Sequence, residues 1–208
     1  MKILVYTKKG GAGKSSISAS IAKKLSAQVI TNDTDHVLDQ YFEKDEHYIV
    51  ENHNPMPNIP QKYNLLFDMG GKPDGRILEI AKTVDKIIIP FFYSALYIKP
   101  AIASMKELEK VNKNIILVLN KYRTPKKGKT CMYEKTEELF KTHLKRDYPI
   151  FKISESLYME DLFDRGQTAE DRMKTLSGKA KEGAIRIDDQ LNLIVEEIKK
   201  ESEILLEA

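Results

Sequence analysis

Cysteine is almost absent: Cys131 is the only thiol in 208 residues. A lone thiol excludes an internal disulfide and cannot build a four-thiolate metal site, so a stapled secreted framework and a CxxC iron-sulfur carrier both drop out. Cys131 reads as a free thiol in a basic loop. Long apolar runs are missing too, since no stretch reaches the roughly 18 uninterrupted apolar residues of a membrane span. The opening Met1-Lys2-Ile3-Leu4-Val5-Tyr6 runs straight into lysines and glycines instead of a cleavable apolar segment. A cytoplasmic protein is expected. Repeats, low-complexity tracts and linkers are lacking as well. With 41% hydrophobic and 31% charged residues, the chain is expected to form one domain over 1–208 with a substantial core.

Charge of one sign is also scarce. A net +3 is too small to establish a nucleic-acid partner, but its distribution is uneven. Lys121, Arg123, Lys126, Lys127 and Lys129 fall in a stretch without acids, whereas the end from Asp188 onward is rich in them.

Short apolar runs alternate with segments of helical period, the pattern of an α/β fold with a mainly parallel twisted sheet flanked by helices. Strands are expected at 2–7, 27–31, 64–68, 86–90, 114–120 and 149–153. Ile17, Ile21 and Leu25 mark one helix, Ile102, Met105 and Leu108 another, and Leu191, Ile194, Val195, Ile198 and Leu205 place five apolar residues on one face of a last helix. The segment 48–61, with Pro55, Pro57 and Pro60, reads as an extended loop or a short edge element. The basic stretch 121–130 reads as a loop at the carboxyl end of a strand, the edge where open α/β sheets bind ligands.

The strongest chemistry lies at Lys9-Gly10-Gly11-Ala12-Gly13-Lys14-Ser15, directly after an apolar strand and before a helix. Its glycines allow positive φ and close backbone approach, so successive amides can point at phosphate oxygens at the positive end of the helix. Lys14 then reaches the β- and γ-phosphates of ATP, Ser15 ligates Mg2+, and Ser16 continues the loop. A merely tight strand-to-helix turn would not need a Lys-Ser pair at that place. The ordinary GxxxxGK[ST] pattern wants a glycine where Lys8 stands. The segment instead resembles the KGGxGK[ST] loop of the ParA/MinD family, deviant-Walker P-loop ATPases. That resemblance assigns to Lys9 the signature lysine's reach across a dimer interface to the partner's nucleotide, although Lys8 beside it blurs which lysine to mutate.

Phosphoryl transfer also needs carboxylates that hold magnesium and place a water. Thr31-Asn32-Asp33-Thr34-Asp35-His36 is similar to the family's DxD element, which implies that Asp35 positions the lytic water and that Asp33 supports it or joins the magnesium shell. An Asx-rich turn closing a strand is the plainer reading. Asn64-Leu65-Leu66-Phe67-Asp68 has the form of a Walker B strand, with Asp68 binding magnesium through water. The following Met69-Gly70-Gly71 departs from the Thr-Pro-Pro type of switch in many relatives, and Gly70 is a candidate γ-phosphate sensor. Asn120-Lys121, at the end of an apolar strand, resembles the family element whose asparagine reads the adenine edge, though such an asparagine can equally be a turn former. The aromatics Phe92 and Tyr93 read as core more readily than as ligand contacts.

The resemblance extends over about residues 1–172 and is closest to small ParA-type partition ATPases of plasmids and chromosomes. It implies an ATP-dependent homodimer that binds non-specific DNA, associates with the nucleoid, hydrolyses ATP slowly, and is stimulated by a small centromere-binding adaptor in DNA segregation. Arg165, Arg172, Lys174, Lys179, Lys181 and Arg186 could supply salt-dependent phosphate contacts, or simply form a solvated helical surface. A MinD-like membrane role is not expected, because the terminal helix is net acidic and anionic lipid would repel it. A metabolic enzyme of the same family would need a substrate pocket that no residues mark. The alternative is a relative that positions protein cargo or serves conjugation without binding DNA.

Overall fold

The computed structural model describes residues 1–33, 38, 41–51, 54–56, 62–70, 74–124, 132–144, 146–159 and 165–204. Among these, seven strands form one parallel sheet: β1 (Lys2–Tyr6), β2 (Gln28–Thr31), β3 (His47–Ile49), β4 (Leu65–Met69), β5 (Lys86–Phe91), β6 (Ile115–Tyr122) and β7 (Ile150–Ser154). Their spatial order is β3-β2-β4-β1-β5-β6-β7. The helices are α1 (Lys14–Leu25), α2 (Ile77–Thr83), α3 (Ala95–Leu108), α4 (Met132–His143), α5 (Ala169–Thr175) and α6 (Gly178–Ile204).

Alternation along each strand divides the core into two layers, because successive side chains point to opposite faces of a sheet. Ile3 and Val5 of β1 pack with Ile17 and Ile21 of α1 and with Ile187, Leu191, Ile194 and Ile198 of α6. Leu4 and Tyr6 pack on the other face with Ile77 and Ile80 of α2, Ile98, Ile102, Met105 and Leu108 of α3, and Phe140 of α4. β1 is the switch point. The chain leaves it through α1 toward β2 on one side, and β5 lies on its other side. In a parallel sheet every carboxyl end meets the same edge, so the exits of β1, β2, β4 and β6 converge there.

All six expected strands are present, with ends moved by one or two residues. β6 runs on to Tyr122, so Lys121 belongs to the strand and not to a following loop. The stretch 48–61 contributes the edge strand β3, parallel to β2, which begins at His47. Four of the five residues marking the last helix are buried on one face; Leu205 lies outside the described residues. No helix among the described residues is long and apolar enough to cross a membrane. The apolar face of α6 is already covered by α1 and the sheet.

Candidate nucleotide-binding site

The loop from Lys9 to Gly13 joins the central strand to α1. Gly11 and Gly13 have φ of 74° and 84°, a region that side chains with a Cβ resist. Gly13 occupies the N-cap position of α1, where no side chain caps the helix, and the first turn carries no acid. The leading amides and the positive end of the helix dipole are therefore left for an anion. The N-terminus of α5 is finished differently: the Thr168 side chain accepts from the Asp171 amide, and the Asp171 carboxylate accepts from the Thr168 amide, a complete capping box.

Lys14 is 8% exposed, and its ammonium donates to the Lys9 carbonyl at 3.3 Å. Desolvation pushes its pKa down, while the carboxylates of Asp68 and Asp33 pull it back up. Asp68 stands on the central half of the sheet, paired in register with Val5 of β1 and Thr31 of β2. It is 2% exposed, and neither carboxylate oxygen has a hydrogen-bond partner of good geometry among the described residues. Burial drives its pKa upward; the Ser15 and Ser18 hydroxyls, then the Lys14 ammonium, act in the opposite direction. A buried carboxylate with both oxygens unused is costly unless a cation completes it. A hard oxygen-seeking ion such as Mg2+ suits that environment, with Ser15 at the start of α1 as a second oxygen donor. Ser18, one turn further along α1, also has a buried hydroxyl with no partner of good geometry among the described residues. Sequence reading passed over it, although its spacing from Ser15 places both on one helix face.

The two lysines ahead of the glycines are separated by their surroundings. Lys8 is fastened to α3: its amide donates to the Ser104 hydroxyl at 3.0 Å, and its ammonium pairs with Glu107 at 2.6 Å. Lys9 is exposed, with its ammonium 5.9 Å from the centre of the Tyr97 ring. Tyr97 in turn packs on Phe92 at 4.7 Å between ring centres and would lie 3.5 Å from a Cβ placed on Gly11. Lys9 is therefore the lysine with reach. Phe92, read as core in the sequence, packs with Tyr97 beside the loop, while Tyr93 packs against the core as expected.

At the β2 exit, the Asp33 amide donates to the Thr31 hydroxyl at 3.0 Å, a turn closed by the threonine side chain and not by an Asn or Asp oxygen. Asp35 lies outside the described residues, as do Gly71 and the lysines at 126, 127 and 129. Asn32 was missed. Its side-chain oxygen accepts from the Gly70 amide at 2.6 Å, and its amide nitrogen donates to Asp74 at 3.0 Å. Asp74 is clamped by Arg76, whose guanidinium also reaches the Val50 and Asn54 carbonyls. The Arg76 side chain holds the Asp74 carboxyl down to about 2. These contacts join the exits of β2 and β4, a link across 38 residues that no local pattern displays.

Asn120 is 4% exposed beneath the loop, and both halves of its amide engage backbone: the nitrogen donates to the Ala12 carbonyl at 3.3 Å, and the oxygen accepts from the Lys121 amide at 2.8 Å. Lys174, Lys179, Lys181, Arg186 and Arg165 are exposed, and Arg172 is half-buried. Lys174 pairs with Asp171 at 3.4 Å, and Arg172 donates to the Gln167 side chain at 3.3 Å.

Residues 3–168 match the family model described as the CobQ/CobB/MinD/ParA nucleotide binding domain. No curated protein matches the chain. Among solved structures, pnob8 ParA is similar at a TM-score of 0.69 and 16% identity, covering 97% of this chain and 98% of that one. The MinD cell division protein of Aquifex aeolicus follows at 0.60 and 19%, covering 91% and 95%. The septum site-determining protein MinD of Pyrococcus horikoshii OT3, complexed with Mg-ADP, gives 0.61 and 15%, covering 98% and 97%. At such identities the structures speak for the fold, whereas the family model spans most of the chain and coincides with the glycine loop, Asp68 and Asn120. The chain therefore belongs to the CobQ/CobB/MinD/ParA nucleotide-binding family.

Proposed function

We propose that the protein is an ATP-hydrolysing dimer switch of plasmid or chromosome partition. The observation that carries the ATPase reading is the uncapped start of α1 beside buried Lys14 and the Asp68 carboxylate, which has no hydrogen-bond partner of good geometry among the described residues. The α1 amides and Lys14 hold the phosphates, and Ser15 with Asp68 holds magnesium, Asp68 through its water shell. The ion, when bound, neutralises phosphate charge and fixes the triphosphate for in-line attack. Asp35 aligns the attacking water. Two copies close on ATP, and the exposed Lys9 of each reaches the other's nucleotide. Gly70, held by Asn32, senses the γ-phosphate. Turnover is slow until an adaptor protein engages the dimer, as suits a switch.

The DNA arm rests on the exposed Lys179, Lys181 and Arg186 along the start of α6, with Arg165, Arg172 and Lys174 nearby in sequence. Dimerisation doubles that surface, and its phosphate contacts read no sequence. A membrane role is disfavoured, because the apolar face of α6 is spent in the core and the sequence from Ile187 onward is net acidic. The second reading, a switch for protein cargo, is favoured by one observation: Lys174 is already paired with Asp171, and Glu170 and Glu182 dilute the same surface.

The test is retention of Asp35→Ala on non-specific duplex DNA with ATP or ADP, with mass followed by light scattering. The partition reading expects an ATP-specific dimer whose retention falls steeply with salt. Lys9→Ala should lose the ATP-dependent dimer, whereas Lys8→Ala, which removes only a half-exposed ion pair, should keep it. A dimer without DNA retention would move the role to protein cargo, and no ATP-dependent dimer at all would end the switch reading.

A further inference from the structure

Asn120, expected from the sequence at the adenine edge, is tied to the glycine loop in this structure. Three observations describe that tie. Its amide nitrogen donates to the Ala12 carbonyl, inside the glycine loop and 108 residues away in sequence. Its oxygen accepts from the next amide, Lys121, and Lys121 itself has a φ of 52°, a left-handed conformation uncommon for a residue with a side chain. Between Leu119 and Tyr122 the register of β6 with β7 shifts, so the strand is locally bent at this pair. The loop has been fitted around the amide: a Cβ on Gly13 would come within 2.1 Å of the Asn120 nitrogen. Gly13 is thus needed for its φ and also for the room it leaves.

We infer that Asn120 is a positioning residue of the phosphate loop, a prop that fixes the Ala12-Gly13 peptide so that the following amides face the phosphates. The inference rests on the nucleotide-binding reading above. Its physical basis is preorganisation: a loop of glycines is free to lose its shape, and a buried hydrogen bond from a different strand reduces the freedom that binding would otherwise have to remove. A strained residue at Lys121, maintained by the surrounding structure, belongs with such a task. Because the prop acts on the loop, its loss should be felt by any polyphosphate, with or without a base.

The experiment compares wild type, Asn120→Asp and Asn120→Ser in two measurements. The first is affinity for ATP, GTP and inorganic tripolyphosphate. Asn120→Asp keeps the acceptor for Lys121 but sets a carboxylate against the Ala12 carbonyl; Asn120→Ser shortens the prop. Both should weaken all three ligands, tripolyphosphate included, by about tenfold for one lost hydrogen bond. The second is amide exchange without nucleotide, in which residues 11–15 should exchange faster in the variants while β5 keeps its protection. Weakened ATP binding with unchanged tripolyphosphate binding and unchanged loop exchange would overturn the inference and return Asn120 to the adenine. Wild type that binds no polyphosphate would defeat the nucleotide-binding reading instead, and the exchange measurement would then decide the prop by itself. Retained protection of β5 shows that each variant is folded.

Discussion

Asp68 and Asp74 leave the same strand a few residues apart, and both are almost wholly buried, at 2% residue exposure and 1% side-chain exposure respectively. Their surroundings are opposite. Asp74 receives Arg76 through two guanidinium nitrogens and Asn32 through a third donor, and is held down to about 2. Asp68 has no partner of good geometry among the described residues, and burial drives it up. The same contrast separates the two helix starts, since α5 has its own capping box and α1 has none. Where a fold only needs stability, its buried charges and helix ends are satisfied internally. At the edge beside β1 they are left open, which is intelligible if a phosphate and a cation complete them.

The largest effect that could break this contrast is at Lys14. Lys14→Ala should weaken ATP by about 100-fold or more, the loss of charge-assisted bonds to phosphate. Folding should be unharmed, because a desolvated cation is removed. Calorimetric titration together with a thermal melt checks both. If ATP binding survives within a few-fold, the loop is not a phosphate site.

A smaller effect sharpens the other side of the comparison. The Asp74 carboxyl titrates in the folded protein near 2, below its ordinary 3.8. A depressed folded value means that its stabilisation is fully present above about pH 4 and is lost as pH falls from there toward 2. Near neutral pH, Asp74→Asn should therefore cost about 2 kcal/mol, on the order of the shift, and should flatten the acid limb of the stability curve in that window. Urea melts between pH 2 and 7 measure it. An unchanged acid limb would show that the Arg76 contact does not stabilise the exit of β4.

Much of this was legible because it is local. Hydrophobic runs of strand length located β1, β2, β4, β5, β6 and β7, and the four-residue spacing of Ile17, Ile21 and Leu25 located α1. The glycine loop announced itself through residue types that must be adjacent to work. What escaped was mostly short or long-range, although the twelve-residue α4 went unmarked as well. β3 is three residues, none of them buried, and the seven-residue α2 and α5 are too brief for a period to show. The tasks of Lys8, Asn32 and Asn120 depend on Glu107, Gly70 and Ala12, partners that only the fold brings near. For that reason Lys8 and Lys9 look alike in sequence but are distinct in space, and the hold of Asn120 on the glycine loop shows only with its neighbours in place.

The most direct test of the account is the magnesium dependence of ATP binding in wild type and Asp68→Asn, titrated with Mg2+ and with the metal chelated. If Asp68 is left open for the ion, wild type gains affinity from Mg2+, the variant loses that gain, and metal-free ATP binds the variant at least as well as it binds wild type, since one negative charge has gone from beside the phosphates. A variant that keeps the full Mg2+ gain would contradict the assignment of Asp68, and with it the claim that this edge is open in order to hold a metal-bound nucleotide.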